Sequence, residues 1–497
     1  MKLSKSAMAA ALSLAVATPA AAQQQGAENV ILMISDGIGF NGWLASDYYQ
    51  GKAGKQAYQV ARPDGTEPVM VGMAHDSLKL LDETGQVLKN GVDPDKAAAA
   101  VRQGYDPERR WNRFENAFRN DFPPVEKDYT SYTDSAAAGS TMQNGRKTAN
   151  GRVNVNWTGE VELRTIAQIA ADQGRSAGAV STVMASHATP ASTIAHNVSR
   201  DNYVSIFNEM VDSELDVIMG AGHPLFDGSG NKIPESERDA ETYKYVGGRE
   251  TWNQLTSEQG LNGYSFIDQV SQFERLAEGE NVPERVVGIG RSNNTLQATR
   301  EGLPKGDTVS GMARREDVPS LATMTVGALN VLDRNPNGFY LMAEGGAVDW
   351  MGHANDMPRF IEEQKDFDQA VKAVIDWVEA NSSWEETLLI VTSDHETGGI
   401  WGAGTFRNGE GGPVAQNRSE AALKAARFDP TEDTFNEFRA VQNRGEGRLP
   451  GYQWASGNHT NELVPLWALG AGAEQFRAFT RTDLKAAELW GQPYDWD

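Results

Sequence analysis

The sequence predicts an α/β fold: a three-layer α/β/α sandwich with a mostly parallel central sheet and surface insertions. Three observations predict it. Short apolar runs recur along the chain, helix-like segments separate several of them, and polar or glycine-rich residues follow each run. Such alternation is typical of a parallel sheet that helices cover on both faces.

Each predicted strand is a continuous apolar run, which is the pattern of a strand buried on both faces. In chain order the runs are VILMI at 30–34, AGAVSTV at 177–183, VIM at 217–219, FYLM at 339–342 and LLIV at 388–391. Helical patterns occupy 163–173 and 360–380. Because parallel sheets bind ligands beyond the carboxyl ends of their strands, the polar residues after these runs are candidates for a site.

The chain of 497 residues is predicted to be a leader followed by one domain. Residues 1–22 have two lysines, an apolar run at 7–16 and three alanines at 20–22, the order of a cleavable signal peptide. Residues 23–497 are predicted to form a single domain with hydrophilic insertions near 51–128, 227–319 and 405–451, which we interpret as substrate-side lids or an oligomer surface. We therefore expect a periplasmic or extracellular protein.

Composition excludes several classes of function. The net charge of −23 argues against nucleic acid or an anionic membrane as a partner. The apolar run of the leader is too short to span a bilayer, and no longer apolar run follows it. The chain has no cysteine, so any zinc must be bound by histidine nitrogen and by carboxylate or hydroxyl oxygen.

Two segments place reactive residue types near strand or helix ends. Asp36 follows the first strand and is flanked by glycine, which fits either a site or a plain turn. Ser135 precedes a run of small residues that can begin a helix, so it is either a nucleophile beside free backbone amides or an N-cap. No GxSxG motif surrounds Ser135, and this favours activation by a cation.

Potential metal ligands cluster after two of the predicted strands. Glu344 follows the run at 339–342, and Asp349 and His353 are four residues apart, so one helical turn could bring both to one ion. Asp394 and His395 follow the run at 388–391 in the same way, and His459 lies in a Gly-Asn-His-Thr segment.

These segments together resemble the alkaline phosphatase family. The resemblance extends in order over most of the chain after the leader. It rests on TDSAA at 133–137, HATP at 187–190, Arg200, the block 344–353, Asp394 with His395, and HTNELVP at 459–465.

The resemblance implies two zinc ions and a third ion, usually magnesium. One zinc would be bound by Asp349, His353 and His459. The other would be bound by Asp36, Asp394 and His395, with Ser135 as its approaching ligand. The third ion would be bound by Asp36, Thr189 and Glu344, while Arg200 would hold the phosphate and Asp134 would orient Arg200.

Two positions depart from the best-studied bacterial member of that family. His187 stands where that enzyme has an acidic residue near the third ion, and Trp350 stands where it has a lysine. His187 is therefore a candidate contact of the third ion or of its water. Lys147 lies in a segment that also resembles the family, and it is predicted to be a solvated residue at a helix end.

The implied function is hydrolysis of small-molecule phosphate monoesters to alcohol and inorganic phosphate through a phosphoserine on Ser135. Broad specificity, phosphate scavenging and a homodimer are also implied. The alternatives are a phosphodiesterase or sulfatase of the same superfamily, and a catalytically silent metal- or phosphate-binding protein. Ser135 and Arg200 favour the monoesterase, because a diester has one charged oxygen fewer for the arginine to hold.

Overall fold

An eleven-stranded sheet organises the chain. The computed structural model describes residues 26–85, 97–102, 132–403, 439–454, 457–481, 484–490 and 494–495. The predicted leader at 1–22 lies outside the described residues, as do parts of the predicted insertions near 51–128 and 405–451. Within the described ranges, helices pack on both faces of the sheet, and the predicted α/β fold is confirmed.

The strands and helices are numbered in chain order. The strands are β1 (Asn29–Ser35), β2 (Val69–Met73), β3 (Leu78–Leu81), β4 (Ala99–Arg102), β5 (Ser176–Met184), β6 (Val217–Ala221), β7 (Tyr264–Ile267), β8 (Arg285–Ile289), β9 (Phe339–Gly345), β10 (Thr387–Thr392), β11 (Glu396–Thr397), β12 (Ile400–Gly402), β13 (Tyr452–Trp454), β14 (His459–Thr460), β15 (Val464–Gly470), β16 (Thr480–Arg481) and β17 (Tyr494–Asp495). The helices are α1 (Phe40–Gln50), α2 (Ser135–Asn144), α3 (Ile166–Asp172), α4 (Ala188–Ala191), α5 (Tyr203–Val211), α6 (Gly248–Leu255), α7 (Val270–Ala277), α8 (Leu321–Leu332), α9 (Ala347–His353), α10 (Met357–Asn381) and α11 (Leu484–Trp490). Short 3₁₀ helices form at Glu235–Glu237, Glu241–Val246 and Ala473–Phe479.

The main sheet has the order β16-β17-β2-β15-β10-β1-β9-β5-β6-β8-β7. Neighbouring strands from β10 to β7 pair in parallel, whereas β15 runs antiparallel to β10 and β2 runs antiparallel to β15. The five predicted strands are β1, β5, β6, β9 and β10, which lie together in the parallel part. Their carboxyl ends therefore point to one edge of the sheet.

The core has two layers, one on each face of the sheet. Alternate residues of β1 contribute to them, because successive strand side chains point to opposite faces. Ile31 and Met33 belong to the layer that includes residues of α8 and α10, while Leu32 and Ile34 belong to the layer that includes residues of α3 and α5. Burial on both faces explains why β1 reads as an uninterrupted apolar run.

Two of the segments interpreted as insertions contribute strands to the main sheet. The segment 227–319 supplies β7 and β8, which extend the parallel part at one end, together with α6 and α7. The segment 51–128 supplies β2 and the separate hairpin of β3 and β4. The role of these segments as lids or as an oligomer surface stays a prediction. Among the helices that the structure describes, none has the length and apolarity needed to cross a bilayer.

Helix α10 buries a row of acidic side chains against arginines. Arg300 donates hydrogen bonds to Glu362, and Arg314 binds Asp366 at 2.9 Å. Glu363 lies between these pairs and is 4% exposed. Burial, reinforced by the negative charge of Asp366, raises the pKa of Glu363 to about 8.

We expect Glu363→Gln to stabilise the protein at alkaline pH. The folded-state pKa of Glu363 is raised, so the folded protein loses stability relative to the variant as pH rises from the usual glutamate pKa through about 8. The free energy of unfolding of Glu363→Gln minus that of wild type should grow by at most about 1.4 kcal/mol for each pH unit in that window. Urea denaturation at pH 5, 7 and 9 measures it. A difference that does not change with pH would contradict the prediction.

Candidate active site

The carboxyl ends of β1, β9 and β10 bring three acidic residues together. Ile34 of β1 pairs with Glu344 on one side and with Thr392 on the other. Asp36 therefore follows β1 beside Glu344, and Asp394 lies two residues beyond the end of β10. The predicted convergence of polar residues at the sheet edge is present.

The first cluster consists of Asp36, Asp394 and His395, whose candidate ligand atoms all lie within 4.8 Å of one another. His395 Nε2 is 3.1 Å from Asp394 Oδ2 and 3.6 Å from Asp36 Oδ1. None of the three side chains is more than 2% exposed. Two carboxylates and an imidazole in this arrangement are a ligand set suited to zinc.

The second cluster consists of Asp349, His353 and His459. Helix α9 places Asp349 and His353 one turn apart, as the spacing predicts. His353 Nε2 is 3.4 Å from Asp349 Oδ2 and 3.1 Å from His459 Nε2. Candidate ligand atoms of His395, Asp349 and His459 also lie within 4.8 Å of one another, so the two clusters are contiguous.

Backbone carbonyls fix the orientation of the two histidines in the second cluster. His353 Nδ1 is 2.7 Å from the carbonyl oxygen of Gly457, and His459 Nδ1 is 2.8 Å from that of Thr133. A carbonyl oxygen only accepts, so Nδ1 carries the proton in both rings. Each Nε2 then presents a lone pair, as metal binding requires.

Burial and like charge destabilise the ionised carboxylates of the first cluster. Burial, followed by the charges of Asp394, Asp349 and Glu344, raises the pKa of Asp36 well above its usual value. Burial also raises the pKa of Asp394 to about 6 and that of Glu344 to about 7. Asp349 differs: burial acts to raise its pKa, but the neighbouring histidines hold it well below the usual value.

Three buried carboxylate oxygens of this edge accept no hydrogen bond from the residues that the structure describes: Asp36 Oδ1, Asp394 Oδ2 and Glu344 Oε1. Buried acceptors without partners cost free energy, and a cation removes that cost. The donor set contains imidazole and carboxylate and no thiolate, which suits zinc or another divalent cation. The residues present therefore fit bound metal ions.

The residues predicted for a third ion lie beside the first cluster. Thr189 of α4 donates a hydrogen bond from Oγ1 to Asp36 Oδ2 at 3.3 Å, and Ser181 of β5 donates to Glu344. His187 caps α4, and its buried Nδ1 has no hydrogen-bond partner among the described residues. Burial lowers the pKa of His187 to about 3, so the ring is neutral and able to accept.

Ser135 is the first residue of α2 and is 2% exposed. Its Oγ lies 3.1 Å from His395 Nε2, so the hydroxyl faces the first cluster directly. The N-cap is Asp134, whose side chain accepts from the amide of Ala137 at 2.9 Å. Of the two interpretations that the sequence left open for Ser135, the geometry favours the nucleophile, because the capping role belongs to its neighbour.

Asp134 also holds Arg200. Arg200 donates from a terminal nitrogen to Asp134 Oδ2 at 3.0 Å, and the amide of Gly151 donates to the same oxygen at 2.9 Å. Arg200 helps to line a cleft of about 410 Å³ that also reaches Ser135 and the three residues of the second cluster. The cleft is lined by Tyr132, Ser135, His187, Arg200, Asp349, Trp350, His353, Asn458 and His459.

Gly37 is required by the close approach of two elements. Its φ is 75°, and a Cβ atom there would lie 2.7 Å from both Cα and Cβ of Asp349. The glycine after Asp36 is therefore needed for packing as well as for the turn, because it allows the chain after β1 to contact α9. This contact brings the two clusters together.

Sequence reasoning missed several residues that support the ligands. Thr397 donates a hydrogen bond from Oγ1 to Asp349 Oδ1. Thr397 Oγ1 also lies 3.4 Å from His395 Nδ1. Ser181 binds Glu344, and Tyr132 and Asn458 line the cleft. The proximity of Thr397 to His395 in the sequence was the only available signal, and it is weak because threonine is common in strands.

Buried histidine and carboxylate clusters around a serine hydroxyl, at the carboxyl edge of a parallel sheet, are characteristic of metal-dependent hydrolases of the α/β class. The comparison with known sequences narrows that class. The chain belongs to the alkaline phosphatase family, whose model matches residues 112–485.

Relatives with that name occur in several organisms. The chain is 30% identical over 389 residues to alkaline phosphatase 4 of Bacillus subtilis (strain 168), covering 71% of this chain and 75% of that one. It is 28% identical over 285 residues to alkaline phosphatase of Escherichia coli (strain K12), covering 53% and 58%. The chain is therefore a phosphatase, a hydrolase of phosphate monoesters that binds metal.

Solved structures share the fold. Alkaline phosphatase of Thermus thermophilus superposes with a TM-score of 0.54 at 20% identity, covering 98% of this chain and 97% of that one. Alkaline phosphatase of the Antarctic bacterium TAB5 gives a TM-score of 0.52 at 22% identity, covering 91% and 94%.

We expect Thr397→Val to weaken metal binding at the second cluster about 10- to 100-fold. Valine matches the shape of threonine but removes the hydrogen bond that orients Asp349. Competition with a fluorescent zinc chelator measures the affinity directly, without recourse to activity. Ser205→Ala, a change in the exposed face of α5, is the control and should leave affinity unchanged. Equal affinity of wild type and Thr397→Val would contradict the prediction.

Proposed function

We propose that the chain transfers the phosphoryl group of a monoester to Ser135 and then to water, with two zinc ions and one magnesium ion bound. The observation that carries the proposal is the position of Ser135 Oγ, 3.1 Å from His395 in the first cluster and in the same cleft as Arg200. Ser135, Arg200 and the second ligand cluster thus line one cavity, and His395 of the first cluster contacts Ser135. A protein that only binds metal or phosphate does not need this hydroxyl.

The ligand chemistry supports the assignment of ions. Asp349, His353 and His459 would hold one zinc, and Asp36, Asp394 and His395 the other. Oxygen donors of Asp36, Thr189 and Glu344 suit magnesium, and His187 would contact this ion or its water. In support, a histidine-to-aspartate variant of the TAB5 enzyme has Mg bound in its M3 site. Bound divalent cations would lower the pKa of the serine hydroxyl and of water, and would offset charge on the leaving oxygen.

The side chains of the protein bind and orient the phosphate. Arg200 can hold two phosphate oxygens with its planar fork, and Asp134 keeps that fork in place. Ser135 is the first residue of α2, and the start of a helix favours a bound anion. Ser135 releases its hydroxyl proton to water as Oγ forms a bond to phosphorus and the bond from phosphorus to the alcohol oxygen breaks. A proton from water then goes to the leaving alcohol oxygen. Water then cleaves the phosphoserine, releasing inorganic phosphate and restoring the hydroxyl.

We propose that the specificity is broad, and the choice of residues assigned to the substrate supports this. The residues assigned to substrate grip the phosphoryl group, which all monoesters share, and leave the alcohol at the open side. We further propose that the protein is exported by its leader, that it scavenges phosphate in the periplasm or outside the cell, and that it forms a homodimer. The pattern of residues 1–22 supports export.

We expect Ser135→Ala to abolish monoester hydrolysis, lowering kcat by about 10³-fold or more, because the phosphoserine cannot form. Hydrolysis of p-nitrophenyl phosphate and of bis-p-nitrophenyl phosphate is measured at alkaline pH with zinc and magnesium supplied. Wild type should strongly prefer the monoester. Preference for the diester would indicate the phosphodiesterase alternative, and no activity on either would indicate the binding protein.

Removal of metal should abolish the activity of wild type, and added zinc and magnesium should restore it, since both clusters are built from ligand atoms. A reductant should have no effect, because the chain contains no cysteine. Activity after EDTA treatment and dialysis tests this, with metal content measured in the same samples. Full activity in metal-free protein would refute the proposed mechanism.

A further inference from the structure

The segment 132–134, which leads into the nucleophile, is held by side chains from distant parts of the chain. The carbonyl oxygen of Tyr132 accepts from Lys79 Nζ at 3.3 Å and from Asn150 Nδ2 at 3.1 Å. The next carbonyl, that of Thr133, accepts from His459 Nδ1 at 2.8 Å. The path of this short segment therefore affects both the nucleophile and a metal ligand.

Lys79 is an unusual residue to find in this position. It lies in β3, is 5% exposed, and also donates to Ser77 Oγ at 3.2 Å. Burial of an ammonium group is costly, and here it lowers the pKa of Lys79 to about 8. Asp76 and Asp134 favour the charged form, but Asp76 already pairs with Lys147 and Asp134 with Arg200, so charge pairing alone does not account for this lysine.

Asn150 binds the same segment from the other side. Its Oδ1 accepts from the amide of Asp134 at 3.3 Å, while its Nδ2 donates to the Tyr132 carbonyl. The following residue, Gly151, donates its amide to Asp134 Oδ2 and accepts the amide of Arg200 at 2.9 Å. The turn at 150–151 thus connects the nucleophile segment to the arginine.

Strand β3 anchors this turn as well. The amide of Leu78 donates to the carbonyl of Thr148 at 2.8 Å, beside a bridge between Leu78 and Ala149. Lys79 is the next residue along β3. Strand β3 therefore contacts both the chain leading into the turn at 150–151 and the segment 132–134 before Ser135.

We propose that Lys79 and Asn150 are positioning residues, which act through the Tyr132 carbonyl to fix Ser135 and His459 for phosphoryl transfer. The inference rests on the proposed function of Ser135. Neither side chain needs to touch the substrate. A shift of the nucleophile by about 1 Å is enough to lower the rate about 100-fold.

The central test is Lys79→Met, assayed with saturating zinc and magnesium. We expect kcat for p-nitrophenyl phosphate to fall about 10- to 100-fold, while the inhibition constant of inorganic phosphate changes less than about threefold. The thermal unfolding midpoint should change less than in Lys147→Met, because methionine keeps the apolar chain and Asp76 keeps its direct ion pair with Lys147. Metal content should equal that of wild type.

Lys147→Met is the matched control. The prediction that Lys147 is solvated is wrong: its side chain is 19% exposed, and Nζ lies 3.2 Å from Asp76 Oδ1. Lys147→Met should therefore change stability and leave the rate nearly unchanged, whereas Lys79→Met should lower the rate. The buried carboxylate of Asp76 loses a cation, so the unfolding midpoint should fall, while kcat should stay within about twofold of wild type.

Asn150→Ala provides an independent variant, and it should also lower kcat. Since Lys79 and Asn150 bind one carbonyl, the double variant should lose less than the product of the two single effects. Wild-type kcat in Lys79→Met, or a loss explained by lost metal or a lowered midpoint, would overturn the inference. Ser135→Ala separates the two proposals: if it is inactive while Lys79→Met is fully active, only the positioning role fails.

Discussion

Ionised carboxylates that are buried away from water must be matched by positive charge, and this constraint governs the edge of the sheet. Asp36, Asp394 and Glu344 are at most 2% exposed, and their burial raises all three pKa values. Bound cations meet the requirement, which links stability of the edge to metal binding. A phosphate dianion is attracted to the same excess of positive charge once the ions are bound.

The parallel register turns residues distant in sequence into neighbours. Asp36, Glu344 and Asp394 come from three adjacent strands, β1, β9 and β10, and each lies at or just beyond the carboxyl end of its strand. The close contact at Gly37 then sets the distance between this group and α9. The site is consequently a product of the whole sheet, and no local segment could form it alone.

The parallel core and the residues of the two clusters could be predicted from sequence, because their signals are local. Buried strands such as β1 are continuous apolar runs, and the ligands lie in motifs shared by the family. Strands β7 and β8 were not predicted, since both are short and lie in a hydrophilic stretch. Thr397, Ser181 and Lys79 act through contacts that are made only in the folded chain. Threonine, serine and lysine are common residues, and these three have no characteristic spacing, so the sequence contains no pattern that identifies them.

The two ligand clusters differ in their access to solvent. The side chain of His353 is 40% exposed, whereas those of Asp394 and His395 are fully buried. Exchange of an ion requires ligands to be replaced by water in steps, and water reaches His353 without any opening of the fold. If each cluster binds an ion, the ion at the second cluster would have the shorter residence time. Under metal starvation that ion would leave first, and an ion beside Ser135 would stay bound.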